Sequence, residues 1–134
     1  MLLLDQGTKL AARHFLQDQS VILGWLRFDL VYNTGAAYGM FSNYTFVLTL
    51  LGIIAIVYLF YNLKNVTKSL EFYAYICLMS GAVGNTLDRL LFSKVTDFIN
   101  IQIIPVFNIA DVLLNIGILL IVFQWFLYDR FDSN

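Results

Sequence analysis

Asp97 and Asp111 lie in the stretch Val95 to Asp111, VTDFINIQIIPVFNIAD, each at the edge of a long apolar segment. A carboxylate beside hydrocarbon is expensive, so its presence calls for a function. The connection between the two acids is short and contains Pro105, so it can fold back and bring the carboxyl groups together. Like charges a few ångströms apart cannot both ionise easily. One acid then stays protonated and polarises a carbonyl, while the other takes a proton from water. That division of labour suits peptide hydrolysis, and the two groups titrate as a unit. FNIAD by itself has an equally good structural explanation: Asn108 is an N-cap and Asp111 the third residue of a helix, where the helix dipole favours an acid. Asp97 supplies the second carboxyl that a cap does not need.

Three further clusters have polar residues in unusual places. In DQGTK, Asp5 and Lys9 stand one helical turn apart, a spacing that favours an ion pair; a solvated helix end explains the motif equally well when it is taken alone. In GAVGNTLDR, Gly81, Ala82 and Gly84 permit close helix packing, and Asp88 can pair with Arg89 or another neighbour. The alternative is an ordinary polar helix end with snorkelling charges. Asn85 argues against it, because an amide at membrane depth needs partners. In NTGAAYGMF, Gly35 and Gly39 permit a turn and a close backbone approach. His14 and Cys77 are each the single residue of their type. They give no metal-ligand cluster, no Ser-His or Cys-His pair and no internal disulfide, so no metal or other cofactor is expected, and Cys77 reads as a small core residue.

The elements that must position these residues are membrane elements. The 134 residues are 60% hydrophobic and 13% charged, with a mean hydropathy of +0.75, which describes a polytopic membrane protein. A net charge of -1 without a basic stripe excludes nucleic acid as a partner. Residues 44–63, 70–87 and 109–128 are each long and apolar enough to span a bilayer. MLLL, ahead of Asp5, reads as the last turn of a further span whose beginning is absent. Leu10 to Leu16 is expected to lie on the membrane surface as a short amphipathic helix, with Arg13 and His14 towards water. From Trp25 to Asn33 the residues alternate, with Leu26, Phe28, Leu30 and Tyr32 on one face and Arg27, Asp29 and Asn33 on the other, the period of a strand. The expected architecture is therefore an all-α membrane bundle of three full spans and the remnant of a first, with a small extracytoplasmic β-sheet and a surface helix. No repeat or linker divides it, so residues 1–134 form one domain.

Orientation is less decided. Lys64 and Lys68 in the link YNLKNVTKSLE should be cytoplasmic by the positive-inside rule. That leaves Lys9, Arg13, Arg27, Arg89 and Lys94 outside, the wrong bias. Either the orientation is reversed, or these residues are held for other reasons, or a missing segment carries the balancing charges.

Taken in order and with their spacings, DQGTK, NTGAAYGMF, GAVGNTLDR, VTDF and PVFNIAD resemble the signature blocks of bacterial lipoprotein signal peptidases, the type II signal peptidases. The resemblance implies an aspartic endopeptidase of the inner membrane that removes signal peptides from prolipoproteins, cutting before a cysteine already modified with diacylglycerol. The family's catalytic aspartates match Asp97 and Asp111. Its other pocket residues fall on Asp5, Lys9, Asn33, Gly35, Asn85, Asp88, Arg89 and Asn108. It also implies four spans with an active site near the extracytoplasmic face, and inhibition by the cyclic peptide globomycin. Asn33, Asn85 and Asn108 are expected to hold the substrate backbone extended, and a monomer is expected. The chain departs from the family pattern in the shortened first span, in Gly7, which weakens its helix by about 1 kcal/mol relative to Ala, and in Ser80 and Tyr38.

Two other classes fit parts of the pattern. A membrane proton or ion transporter would also hold acids such as Asp88, Asp97 and Asp111, but near the midplane of its spans rather than at their ends. A truncated, non-catalytic lipoprotein-binding relative would bind substrate without cutting it.

Overall fold

A computed structural model describes residues 1–35 and 44–131. Gly39 and Tyr38 of the NTGAAYGMF block lie outside the described residues. The chain runs α1 (Leu2–Phe15), β1 (Val21–Leu23), β2 (Leu26–Asn33), α2 (Thr45–Leu63), α3 (Ser69–Phe92), β3 (Val95–Asn100) and α4 (Ile109–Phe131). Helix α3 is central: it packs along α4, and α2 and α1 also lie against it.

Two of the described helices, Thr45–Leu63 and Ile109–Leu127, are long and apolar enough to cross a membrane. Within α2 only Thr49 is buried by the rest of the protein, and Phe46, Leu50, Ile54, Val57, Phe60 and Tyr61 are all exposed. An apolar face of this size, left uncovered by the other described residues, suits contact with lipid. Helix α3 is longer, but it carries Glu71, Asn85, Asp88 and Arg89 and is not among the two. Its small residues allow the close approach expected of them. A side chain at Gly81 would come within 2.5 Å of the Ala110 carbonyl, and one at Gly84 would collide with the Asp5 carboxylate.

The sheet is antiparallel in the order β1-β2-β3. Leu23 pairs with Leu26 across a two-residue loop, where Gly24 takes the positive φ (65°) that such a hairpin needs. The strand expected at residues 25–33 is thus present as β2. Its neighbours β1 and β3 were not legible, because three residues of β1 show no alternation and β3 is buried at Val95, Thr96, Asp97 and Phe98 alike. The register of β2 on β3 slips between Phe28 and Val31. Such a bulge turns the later residues relative to the earlier ones. Phe28 and Leu30 pack on a core of Ala12, Leu16 and Phe98, while Tyr32 is exposed.

One expectation is corrected at the N-terminus. The residues expected to form a separate surface helix, Leu10 to Leu16, continue a single helix that starts at Leu2. Arg13 does not face water; it turns inward to Thr96 and Asp88, and only His14 is exposed. Arg13 is the third member of a row, with Asp5 and Lys9, spaced one turn apart on the face of α1 that meets α3 and β3.

Candidate active site

The connection after β3 folds back as its length allowed. Phe107 pairs with Ile99, its N–H donating to the Ile99 carbonyl (3.0 Å) while its own carbonyl accepts from Phe98 (3.0 Å) and Ile99 (2.8 Å). The next residue, Asn108, starts α4. Its side-chain Oδ1 accepts from the Asp111 N–H (3.0 Å), and its own N–H donates to Asp111 Oδ2 (3.1 Å). This reciprocal cap satisfies two groups of the helix end and fixes the Asp111 side chain. Asn108 Nδ2 meanwhile donates to Asp97 Oδ1 (2.6 Å). One buried residue therefore touches both carboxyl groups, and the capping and functional explanations of FNIAD turn out to be compatible.

Every remaining contact that the two acids make with named side chains comes from a neutral amide. Asn33 Nδ2 donates to Asp97 Oδ2 (3.0 Å), and Asn85 Nδ2 to Asp111 Oδ1 (2.8 Å). The amides of Asn33, Asn85 and Asn108, expected to lie along a substrate backbone, each bond one of the acids. Burial pushes the Asp97 carboxyl up to about 6, with the charge of Asp111 adding to the rise and the amides of Asn33 and Asn108 opposing it. A proton held at that level is available to chemistry near neutral pH.

Behind the amides lies a cluster of charges. Lys9 Nζ donates to Asn85 Oδ1 (2.9 Å), pairs with Asp5 (3.0 Å) and lies 3.9 Å from Asp88. Asp5 also accepts from the N–H of Ala110 (2.8 Å) in the first turn of α4, an anion on a helix N-terminus. Asp88 accepts from the Thr96 N–H (2.8 Å) and pairs with Arg13 (3.5 Å). Lys9, Asp5 and Asp88 are wholly buried, which rules out a solvated helix end for DQGTK. Lys9 and Arg13 both have anionic partners within the protein.

The acids open onto a cleft of about 1130 Å3. Asp97, Asp111, Asn33, Asn85 and Arg89 line it, with Tyr32 and Pro105 at the sheet side and Leu51, Ala55, Ala82, Leu114 and Leu119 between the helices. Asp5, Lys9, Gly35, Asp88 and Asn108 do not line it. Gly35 is buried, its N–H turned to Asn33 Oδ1 (2.9 Å) and its carbonyl accepting from Arg89 Nη2 (3.1 Å). Arg89 does not pair with Asp88; its Nε is buried without a partner among the described residues. Sequence reasoning missed Thr86 and Thr96, whose hydroxyl groups have no spacing signal. It also missed Arg13, for which the row Asp5, Lys9, Arg13 was available.

A family model described as signal peptidase (SPase) II matches residues 1–127. The lipoprotein signal peptidase of Caldicellulosiruptor bescii is 37% identical over 122 residues, covering 90% of this chain and 81% of its own. That of Chlamydia pneumoniae is 34% identical over 143 residues, covering 92% and 84%. A solved structure described as a bacterial membrane enzyme, determined by the in meso method at 2.3 Å resolution, superposes with a TM-score of 0.90 at 32% identity. The match covers 99% of this chain and 86% of that one.

Proposed function

The chain belongs to the signal peptidase II family, and from that premise we propose that it removes signal peptides from diacylglyceryl-modified prolipoproteins with Asp97 and Asp111 as its catalytic acids. The observation that carries the reading is Asn108, which bonds both carboxyl groups at the wall of the cleft.

The reaction follows from two acids sharing one proton. The carboxylate takes a proton from water, and the hydroxide so formed attacks the scissile carbonyl carbon. The carboxylic acid meanwhile gives its proton to the carbonyl oxygen. Collapse of the tetrahedral intermediate expels the amine of the lipidated cysteine, which takes the proton gained from water, and the acid recovers its own. The amides of Asn33, Asn85 and Asn108 orient the carboxyl oxygens without neutralising them, and Arg89 brings a positive charge to the lining of the same cleft. Lys9, Asp5 and Asp88 support the site from behind.

The cleft suits such a substrate because most of its lining is apolar, from Leu51 and Ala55 to Leu114 and Leu119, while Asp97 and Asp111 stand in its wall. A signal helix and lipid tails can lie between α2, α3 and α4 while the scissile bond meets the acids. In this reading α3 is a third membrane span, the active site lies at the extracytoplasmic face of the bacterial inner membrane, and the chain acts as a monomeric single domain. Globomycin should inhibit it by occupying the same cleft.

Cleavage of a diacylglyceryl prolipoprotein in liposomes tests the reading, with Asp97→Asn and Asp111→Asn as comparisons. Wild type should cut, and each variant should bind the substrate and lose at least about 100-fold in rate. Undiminished cleavage by either variant removes that residue from the chemistry. Binding without cleavage by wild type identifies a non-catalytic relative.

A further inference from the structure

The Asp97 carboxyl can meet Asn108 and Asp111 only if β3 is held still, and one strand partner does not achieve that. On one side Thr96 pairs with Tyr32 and Asp97 with Val31, just beyond the register slip. On the other side the backbone pairing with Phe107 involves only Phe98 and Ile99. At Thr96 the place of a strand is taken by side chains. Asp88 Oδ2 accepts from the Thr96 N–H (2.8 Å), and Arg13 Nη1 donates to Thr96 Oγ1 (2.7 Å). The same Arg13 Nη1 is 3.5 Å from Asp88 Oδ1, and the guanidinium carbon lies 4.6 Å over the Phe92 ring. Thr96 is fully buried.

We propose that Arg13 is a positioning residue for the reaction: together with Asp88 it grips Thr96 by side chain and backbone, and thereby sets the direction in which Asp97 points. Arg13 touches neither cleft nor substrate. It links α1 and α3 to β3 at the residue before the acid, and a shift there moves the Asp97 side chain relative to Asn108. The grip is separate from the Lys9 cluster, which reaches the site through Asn85 rather than through β3. The proposal rests on Asp97 being half of the catalytic pair.

Thr96→Val tests it, because valine fills the same volume and removes only the acceptor of the Arg13 bond. Alongside it go Thr96→Ser, Arg13→Leu, the double variant Arg13→Leu/Thr96→Val, and Asp97→Asn, all as full chains in liposomes. Misplacing a reacting group by about 1 Å can reduce a rate 100-fold, and the smaller shift here should reduce kcat about tenfold with KM unchanged. Thr96→Ser should restore kcat, and in the double variant the two losses should be less than additive, since both changes break the Arg13–Thr96 bond while Arg13→Leu also removes the contacts with Asp88 and Phe92. The pH dependence of kcat should also move in Thr96→Val, because Asp97 has changed its surroundings, and a loss of stability alone would leave it in place. Wild-type kcat and pH dependence in Thr96→Val overturn the proposal, as does a loss confined to KM. If Arg13→Leu fails to fold, the two Thr96 variants decide. Cleavage by Asp97→Asn at the wild-type rate instead overturns the assignment of the acids, and an inactive Asp97→Asn beside a wild-type Thr96→Val overturns only the grip.

Discussion

Two pairs of acids lie on opposite sides of Asn85. Asp5 and Asp88 are fully buried beside Lys9 and Arg13, so each has a cation within 4 Å. Asp97 and Asp111 are held by Asn33, Asn85, Asn108 and one backbone N–H, all of them neutral donors. Both arrangements satisfy the oxygen atoms, but only the first balances the charge. Asp5 and Asp88 serve as fixtures beside their cations, whereas burial and the charge of Asp111 raise the Asp97 carboxyl. Burial alone therefore does not distinguish the two pairs, and the charge of their partners does.

Lys9→Met should break the first pair and have the largest effect on stability. It leaves Asp5 buried without its cation, and removing one partner of a buried pair costs about 3–5 kcal/mol. Thermal unfolding in detergent should show a loss of that order, and cleavage should fall as well, because Asn85 loses its Lys9 partner. A Lys9→Met protein as stable as wild type would mean that the cluster is not a fixture.

Asp97→Asn should do the opposite. The folded protein holds this proton up to about pH 6, against an ordinary value of 3.8, so the folded state binds the proton more tightly than the unfolded one. Stability is then greatest below 3.8 and falls as pH rises towards 6, by on the order of 3 kcal/mol at 1.36 kcal/mol per unit. Asn cannot ionise and escapes that loss. The variant should match wild type at acid pH and exceed it in unfolding temperature above pH 6. An equal pH dependence in the two proteins would show that Asp97 is no more costly to ionise than an ordinary acid.

Asn108→Ala should affect both properties moderately, because it removes the cap of α4 and the bond to Asp97 together. Loss of such a cap costs about 1 kcal/mol. The rate should fall further than stability explains, as rate measurements on protein shown to be folded would reveal. A rate that tracks folded protein alone would assign Asn108 to the helix only.

How much of this was readable beforehand depended on whether the signal was local. The apolar runs of α2 and α4, the alternation of β2 and the cap of Asn108 with Asp111 each lie within a few residues, and each is present. The partners of Lys9 are local only in part: Asp5 is one turn away, but Asn85 and Asp88 are brought by the packing of α1 on α3. A helix divided at Leu10 would put Arg13 in water, whereas the unbroken helix Leu2–Phe15 puts it below Lys9. Strand β3 was concealed by its burial, which removes the polar alternation that marks a strand. The place of Asn33 beside Asp97 depends on the register slip in β2, which no local pattern encodes.

The smallest effect belongs to a third acid, and its sign separates it from Asp97. Asp29 lies on the sheet, away from the cleft, where Arg27 Nε donates to its Oδ1 (2.6 Å), as does the Ser20 hydroxyl, and Asn100 Nδ2 donates to Oδ2 (2.8 Å). What burial it has would raise its carboxyl, but the bonds from Ser20, Asn100 and Arg27 outweigh that and hold it below 3.8. The folded state thus binds this proton less tightly than the unfolded one, the reverse of Asp97. Its contribution is present above pH 3.8 and is lost as pH falls through the lowered value. Arg27 is half-exposed and screened by solvent, so the pair is worth about 0.2–1 kcal/mol. Asp29→Asn should lower the unfolding temperature slightly at neutral pH, converge on wild type as the solution is acidified, and leave cleavage unchanged. Asp97→Asn should raise the unfolding temperature at neutral pH, converge at the same acid end, and abolish cleavage. Two aspartates on neighbouring strands then differ in the sign of their effect because one is buried beside a second acid and the other is held by hydrogen bonds from Ser20, Asn100 and Arg27. A stabilising Asp29→Asn, or one that slows cleavage, would place Asp29 with the cleft instead of with the sheet.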